Sequence, residues 1–411
     1  MMEITQKVKE QVLEQLDLGR DTTDQMILEQ IDKEMSKEEE LRYFPVKERL
    51  RIQKDIFNGI RRLDVLQELV ENKKITEIMI NGHQDIFIEE AGRIRKWNKR
   101  FESTEKLADV VQQIVSKANR VVNEANPIVD TRLEDGSRVN VVLPPVALNG
   151  PIVTIRKFPE KTMEMEDLLA YGSITKEAAV FLQKLVTAKY NIFISGGTGS
   201  GKTTFLNVLS NYIPQDERII TIEDSAELQI KNIPNLVKLE TRNANVEGKN
   251  EISIRDLIKS ALRMRPDRIV VGEVRDAAAI DMLSALNTGH DGSLSTGHAN
   301  SPEDMLSRLE TLVLMGMEIP LMAVRRQISS ALEIIVHLGR LRDKSRRVLS
   351  IVEVLSCENG EIQTVPLYEF VEEGETKEGK VIGSLKRTRY AITQTEKLQR
   401  AGISLEEGED T

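Results

Sequence analysis

Between residues 196 and 203 the chain reads Gly196-Gly197-Thr198-Gly199-Ser200-Gly201-Lys202-Thr203. The apolar run Ile192-Phe193-Ile194 comes before this stretch, and a helix-forming segment follows it. Glycines let backbone N–H groups turn inward around phosphate oxygens, and the helix that follows adds the positive end of its dipole. A strand before and a helix after are the context that confirms this motif, so we interpret the stretch as a phosphate-binding loop.

Two side chains of this loop carry specific chemistry. Lys202 is expected to reach the β- and γ-phosphates, and the Thr203 hydroxyl is expected to hold Mg²⁺. The sequence therefore predicts ATP and Mg²⁺ as ligands. The other residues of the predicted nucleotide site contribute mainly backbone groups: Gly196, Gly197, Thr198, Gly199, Ser200, Gly201 and Thr204.

Composition indicates an ordinary globular protein of two or three domains. The 411 residues are 40% apolar and 30% charged, and the net charge is −9. No run of about eighteen apolar residues exists and the N-terminus is charged from Glu3, so we expect neither a membrane span nor a signal peptide. We therefore expect a cytoplasmic location. The single Cys357 excludes an internal disulfide framework. An acidic chain has no global basic field, so nucleic acid is not an expected partner.

The pattern of apolar residues predicts an α/β protein with four segments. Residues 1–60 have helical spacing, and either a partner-docking arm or a helix packed on its own protein fits them. Residues 61–158 predict an α+β domain, with turn signals at Asn81-Gly82 and Ala91-Gly92. Residues 159–355 alternate short apolar strands with helical stretches, which predicts a mostly parallel sheet with helices on both faces. Residues 356–411 are polar and acidic, and we expect an appendage with a strand pair and a helix.

Two glutamates are candidates for hydrolysis of the γ-phosphate. Glu227 and Glu273 each follow a predicted strand, and we expect both strands to neighbour the strand of the phosphate-binding loop. One carboxylate can orient water while the other holds the magnesium shell. The generic motif has Asp directly after the second of these strands, whereas here Gly272 stands there and the acid comes one residue later.

The histidines divide into a pair and two isolated residues. His290 and His298 are eight positions apart, but no third soft ligand is near, so we favour a hydrogen bond to a phosphate or a carboxylate over a metal site. His83 and His337 are isolated in the sequence, and we interpret both as structural.

Arginines at strand ends form the last group of candidates. Arg138 and Arg156 end or flank strands of the first domain, and Arg132 is close by. If that domain covers a nucleotide site, in its own or a neighbouring subunit, they would stabilise phosphate charge as arginine fingers. Exposed arginines on a sheet fit the same positions equally well.

Several spaced motifs together resemble the type II/type IV secretion ATPases, and most of all the CpaF branch, which powers Tad (Flp) pilus assembly. The likeness runs from about Leu63 to Glu353 and rests on the phosphate-binding loop and on residues 132–140, 222–228, 239–242, 262–275 and 287–293.

This resemblance implies a homo-hexameric, Mg²⁺-dependent ATPase with a RecA-like domain, whose N-terminal domain covers the nucleotide site. It implies a membrane platform protein as partner, with peripheral attachment at the cytoplasmic face of the membrane. Glu227 ends the segment called the Asp box and would be the general base, while Glu273 is the Walker B glutamate and would hold Mg²⁺ through a water. The His box corresponds to residues 290–298 and places His298 in the catalytic set, and Arg138 and Arg156 best match the arginines that contact phosphate.

The sequence departs from the family pattern at two places. Asp343-Lys344-Ser345-Arg346 stands where Asp-Gly before paired arginines is expected, and Gly297 precedes His298 where a bulkier residue is common.

Three functions remain open at this point. The first is a motor for pilus assembly or protein secretion. A related hexameric motor for DNA transfer would need a basic channel, which the acidic balance disfavours. A nucleotide-gated scaffold that barely hydrolyses ATP is disfavoured because Lys202, Glu227 and Glu273 are all present.

Overall fold

A computed structural model describes residues 2–16, 22–90, 92–158, 162–242 and 250–405 of the chain. The chain divides into two compact units, Met1–Lys161 and Thr162–Thr411. Of the turn signals named above, Ala91 lies outside the described residues, as do residues 159–161 and the end of the predicted C-terminal segment.

The first unit begins with helices that share a small apolar core. They are α1 (Met2–Gln15), α2 (Asp24–Lys37), a short 3-10 helix (Glu39–Tyr43) and α3 (Val46–Arg61). The Thr23 hydroxyl accepts a hydrogen bond from the Met26 N–H and so caps α2. Ile31 and Ile56 are fully buried between α2 and α3. The helical prediction for this segment is therefore correct.

A six-stranded antiparallel sheet follows in the same unit, in the order β3-β2-β1-β6-β5-β4. One face of the sheet buries residues such as Ile78 and Ile155 in a core shared with α5. The alternation of buried and exposed residues along these strands reflects a sheet with only one covered face. The elements are α4 (Val65–Glu71), β1 (Ile75–Asn81), β2 (Asp85–Glu90), β3 (Arg93–Lys96), α5 (Thr104–Lys117), β4 (Ile128–Arg132), β5 (Arg138–Val142) and β6 (Ile152–Arg156).

The second unit is built on a nine-stranded sheet in the order β15-β14-β13-β12-β7-β11-β10-β8-β9. Strands β7, β8 and β10 are buried along their whole length because helices cover both faces of the sheet. The strands are β7 (Ile192–Gly196), β8 (Ile219–Glu223), β9 (Leu236–Glu240), β10 (Arg268–Val271), β11 (Leu294–Gly297), β12 (Ile334–Arg340), β13 (Arg346–Glu358), β14 (Glu361–Glu375) and β15 (Val381–Arg387).

The helices of this unit are α6 (Met165–Ala170), α7 (Lys176–Thr187), α8 (Lys202–Ser210), α9 (Ile254–Ala261), α10 (Ala278–Leu286), α11 (Pro302–Gly316), α12 (Leu321–Ala331) and α13 (Glu396–Arg400). Two apolar cores lie on opposite sides of the sheet, one with α7 and α8 and the other with α9 to α12. The observed fold thus agrees with the predicted α/β class.

The predicted strand neighbours are wrong in one respect. Strand β7 pairs with β11 and β12, whereas β10 pairs with β8 and β11. One strand therefore separates β7 from β10, and two separate it from β8. The prediction failed because strand pairing here is non-local: β11 comes latest of the four in sequence yet inserts between β7 and β10.

The acidic C-terminal segment is not an appendage in this structure. The boundary expected at residue 355 falls inside β13, and β13, β14 and β15 extend the sheet of the second unit by antiparallel pairing. Their apolar residues, such as Leu367 and Leu385, enter the core. The acidic residues of these strands occupy exposed positions, and Arg342 pairs with two of them, Glu372 and Glu375. The prediction was wrong because the acidic composition gave no sign that the other residues of the strands are buried.

No helix within the described residues is both long enough and apolar enough to cross a membrane.

Candidate active site

The phosphate-binding loop connects β7 to α8 in the predicted way. Gly199 and Gly201 have φ angles of 71° and 96°, which side-chain-bearing residues rarely adopt. A Cβ added at Gly197 or Gly199 would meet no atom within 4 Å, so this side of the loop is open. The Ser200 hydroxyl is buried without a hydrogen-bond partner among the described residues. An open backbone cradle with an unused donor fits a phosphate ligand.

Lys202 begins α8, and its ammonium lies at the mouth of this loop. The Nζ atom donates a hydrogen bond to the Gly197 carbonyl at 3.0 Å and lies 3.2 Å from His298 Nδ1. Burial lowers the pKa of Lys202, and the charge of Glu273 opposes that shift. A half-desolvated ammonium gains by acquiring an anionic partner, which a phosphate would provide.

Glu273 and His298 come together where β10 and β11 end. His298 Nε2 lies 2.9 Å from Glu273 Oε1, and Arg275 donates a hydrogen bond to Glu273 Oε2 at 2.6 Å. Burial and the nearby Lys202 lower the pKa of His298, which favours its neutral form. Four side chains therefore contact one another in a row along one edge of the sheet, in the order Lys202, His298, Glu273 and Arg275.

His290 does not belong to this row. It precedes β11 whereas His298 follows it, so the two histidines flank opposite ends of one strand, and the His290 ring instead contacts the Ala285 carbonyl at 3.2 Å. The predicted polar contact with a carboxylate is thus observed for His298.

The loop that carries Glu227 is held by the last residue of β8. The Glu223 carboxylate accepts hydrogen bonds from the Glu227 and Leu228 N–H groups at 2.8 and 2.9 Å. On the other side, the side chain of Asn207, on α8, accepts a hydrogen bond from the Gln229 N–H at 2.9 Å. The loop that carries the predicted base is therefore tied to β8 through the Glu227 N–H and to the helix of the phosphate-binding loop through the Gln229 N–H.

The structure gives a physical reason for Gly272. A Cβ at this position would lie 2.9 Å from Glu223 Cγ, which is shorter than ordinary contact. A side chain cannot stand here while the Glu223 carboxylate fills the space, so the acid follows one residue later as Glu273.

Sequence reasoning missed two further contacts of the loop. Arg346, at the start of β13, donates a hydrogen bond from Nε to the Gly199 carbonyl at 2.8 Å. His337 is buried in β12 and its Nδ1 lies 2.8 Å from the Ser195 hydroxyl. The one signal for Arg346 was the irregular segment 343–346, whereas His337 becomes recognisable only once β12 is paired with β7.

Arg138 and Arg156 lie in the first unit. They are directly opposite each other on β5 and β6, and Arg132 is opposite Arg138 on β4. Directly opposite residues share a face of the sheet, so three arginines form one row across it. The Nη2 atom of Arg138 lies 3.4 Å from Asp130 Oδ1.

The family model described as type II/IV secretion system protein matches residues 61–403. The chain belongs to this family. Its relatives include a putative conjugal transfer protein of Mycobacterium tuberculosis (strain ATCC 25618 / H37Rv), which is 35% identical over 331 residues, covering 79% of this chain and 93% of that protein. The type IV secretion system protein VirB11 of Brucella suis biovar 1 is 31% identical over 305 residues, covering 67% and 84% of the two chains.

A solved structure of the pilus retraction motor PilT with bound ADP has a TM-score of 0.51 and 19% identity, covering 83% of this chain and 87% of that chain. At that identity the likeness concerns the fold alone. The fold is that of a RecA-like ATPase domain preceded by an N-terminal domain, as predicted. The family comprises secretion and conjugal-transfer ATPases.

Proposed function

We propose that this protein hydrolyses ATP with Mg²⁺ as a homo-hexameric motor for pilus assembly or protein secretion, closest to the CpaF branch. The observation that carries the proposal is the row formed by Lys202, His298 and Glu273 at the mouth of the phosphate-binding loop. It places a cation for the phosphates beside a carboxylate at one edge of the sheet. As the family resemblance implies, the domain at residues 61–158 would cover the nucleotide site.

In this proposal each side chain has one task. The loop from Gly196 to Thr204 binds the phosphates, and Lys202 neutralises their charge. Glu227 takes the proton of the attacking water. His298 holds the Glu273 carboxylate in place. Bound Mg²⁺, held by the Thr203 hydroxyl and by Glu273 through a water, would supply charge neutralisation on the phosphate oxygens.

The row of arginines on the first unit supplies the remaining positive charge. Arg138 and Arg156 would act as arginine fingers on a nucleotide bound by the same or a neighbouring subunit. The protein would work at the cytoplasmic face of the membrane, attached through a platform protein that receives the force.

The experiment that tests the proposal is specific ATPase activity against protein concentration with Mg²⁺. We expect specific activity to rise steeply with concentration, because neighbouring subunits complete each site. Glu227→Gln should retain nucleotide binding and lose about 10²–10⁴-fold in turnover. Normal turnover by Glu227→Gln would contradict the assignment of the base.

Mixing Arg138→Ala with Lys202→Ala protein tests the arginine fingers. Partial recovery of activity, which neither variant has alone, is expected if the arginines act across a subunit boundary. Absence of recovery at every ratio would contradict action between subunits.

A second candidate is a motor for DNA transfer, because the relatives of this chain include conjugal transfer proteins. It predicts binding of duplex or single-stranded DNA that weakens steeply with salt, and ATPase stimulation by that DNA. The net charge of −9 favours the first proposal.

A further inference from the structure

Glu223 is a buried acid that has no role in the proposed reaction as described so far. Only 3% of its surface is exposed. Its Oε1 atom accepts the two hydrogen bonds from Glu227 and Leu228, whereas Oε2 is buried with no hydrogen-bond partner among the described residues. A buried carboxylate oxygen without a partner is costly, which argues for a purpose beyond folding.

Both the side chain and the backbone of Glu223 are held by neighbouring residues. The Gly272 backbone packs so closely that even a methyl group there would press on Glu223 Cγ. The Glu223 backbone is fixed as well, because its carbonyl accepts a hydrogen bond from the Thr241 N–H at 3.0 Å. These contacts hold Glu223 beside the end of β10, where its carboxylate accepts the N–H groups of the Glu227 loop.

The electrostatic surroundings agree with a carboxylate held for its acceptor capacity. Burial raises the pKa of Glu223 to about 7, and the two backbone N–H donors oppose that shift. The charge of Glu227 raises this pKa further, while Lys238 lowers it. An apolar residue would avoid this cost but would leave two buried N–H groups without an acceptor.

We propose that Glu223 is a positioning residue for hydrolysis: its carboxylate fixes the backbone of Glu227 and so sets the direction in which the Glu227 side chain meets the attacking water. The inference rests on the proposed function, in which Glu227 is the base. A misplacement of about 1 Å in such a group can cost about 10²-fold in rate.

Two variants of Glu223 separate positioning from folding. Glu223→Met keeps the length of the side chain but accepts no N–H, and we expect turnover to fall about 10–100-fold while Mg-ATP affinity stays unchanged. Glu223→Gln still accepts both N–H groups through its amide oxygen, and we expect turnover within about threefold of the unmodified protein. Thr221→Val is the matched control, because Thr221 is equally buried in β8 and should leave activity unchanged.

A double mutant decides whether Glu223 acts through Glu227. On the Glu227→Gln background, Glu223→Met should lower the residual turnover by less than about twofold, since the group it positions has gone. Wild-type turnover by Glu223→Met would overturn the inference. The inference would also be wrong if the double mutant lost turnover by the full product of the two single-mutant losses.

The outcomes distinguish this inference from the proposed function itself. An unmodified protein without ATPase activity, or an active Glu227→Gln, contradicts the proposed function and with it the inference. An active protein with an inactive Glu227→Gln and a fully active Glu223→Met contradicts the inference alone. If Glu223→Met fails to fold, Glu223→Asp withdraws the carboxylate by one methylene, and wild-type turnover by that variant is equally decisive.

Discussion

Buried polar and charged groups lie at both ends of the parallel strands in the second unit, but their hydrogen-bond pairing differs between the two ends. At the amino ends of the strands, Arg268 donates hydrogen bonds to both oxygens of Glu217, at 2.5 and 2.8 Å, and to the Val186 carbonyl. The Nζ atom of Lys397 lies 2.7 Å from Glu333 Oε2, and the same oxygen accepts a hydrogen bond from the Asn191 N–H. Each of these charges has several close partners.

At the carboxyl ends the same sheet leaves polar groups unsatisfied. The Ser200 hydroxyl and one Glu223 oxygen have no hydrogen-bond partner in the described part of the chain. Fully paired charges hold strands together, whereas incompletely paired charges can gain a new partner. The comparison therefore assigns stability to one end of the strands and ligand chemistry to the other.

The largest effect is expected from replacing a lysine at the carboxyl ends. Lys202→Ala should abolish nucleotide binding or turnover with little loss of thermal stability, because it removes a partly desolvated cation. The matched substitution at the amino ends, Lys397→Ala, should lower stability and leave nucleotide binding intact. Fluorescent-nucleotide titration and thermal denaturation of both variants test this, and similar profiles for the two would remove the distinction.

A large loss of stability is expected from Arg268→Leu. The variant removes the closest partner of the buried Glu217 carboxylate and leaves Lys189, whose Nζ lies 3.7 Å from Glu217 Oε1, as a weaker one, so we expect a cost of about 3 kcal/mol. Urea unfolding followed by circular dichroism measures this, and the single Trp97 lies in the first unit, so its fluorescence is an internal control. The double variant Arg268→Leu/Glu217→Leu should recover part of the loss, and failure to do so would mean that packing, not charge, dominates.

Stability should also depend on pH through Glu223. Its folded pKa of about 7 lies above the ordinary 4.5, so the folded state binds the proton more tightly and stability falls as pH rises from about 5 to about 7. Glu223→Gln removes this dependence and should gain about 1–3 kcal/mol over the unmodified protein across that window. Parallel pH curves for the two proteins would show that the carboxylate is ionised throughout.

A smaller effect is expected from Arg346→Ala. Losing the hydrogen bond to the Gly199 carbonyl should loosen the phosphate-binding loop and weaken nucleotide binding about fivefold, equivalent to about 1 kcal/mol. Arg347→Ala is the matched control, because the neighbouring arginine donates to the Tyr171 and Gly172 carbonyls instead. Equal losses in both variants would assign the effect to the β12–β13 connection as a whole.

Local chemistry explains what could be predicted from the sequence. The loop from Gly196 to Thr203 is a motif whose function depends on adjacent residues, and the structure has the strand, open loop and helix as expected. The contact of His298 with Glu273 also agrees with the predicted hydrogen bond of a histidine to a phosphate or a carboxylate.

Non-local packing explains what could not be predicted. The insertion of β11 between β7 and β10 depends on pairing between residues about a hundred positions apart. The contact between Gly272 and Glu223 joins two different strands, so the reason for the glycine becomes visible only in three dimensions. The polar strands β14 and β15 have an alternation that their acidic composition obscured.

The contacts of the C-terminal segment bear on how the protein is synthesised. Thr393 and Gln394 donate to the buried Glu353, and Lys397 reaches the Lys189 carbonyl just before the strand that leads into the phosphate-binding loop. A ribosome must therefore deliver residues 393–397 before the charges around β7 and β12 can be neutralised. During translation the nucleotide-binding core is therefore synthesised before the residues that pair with its buried acids.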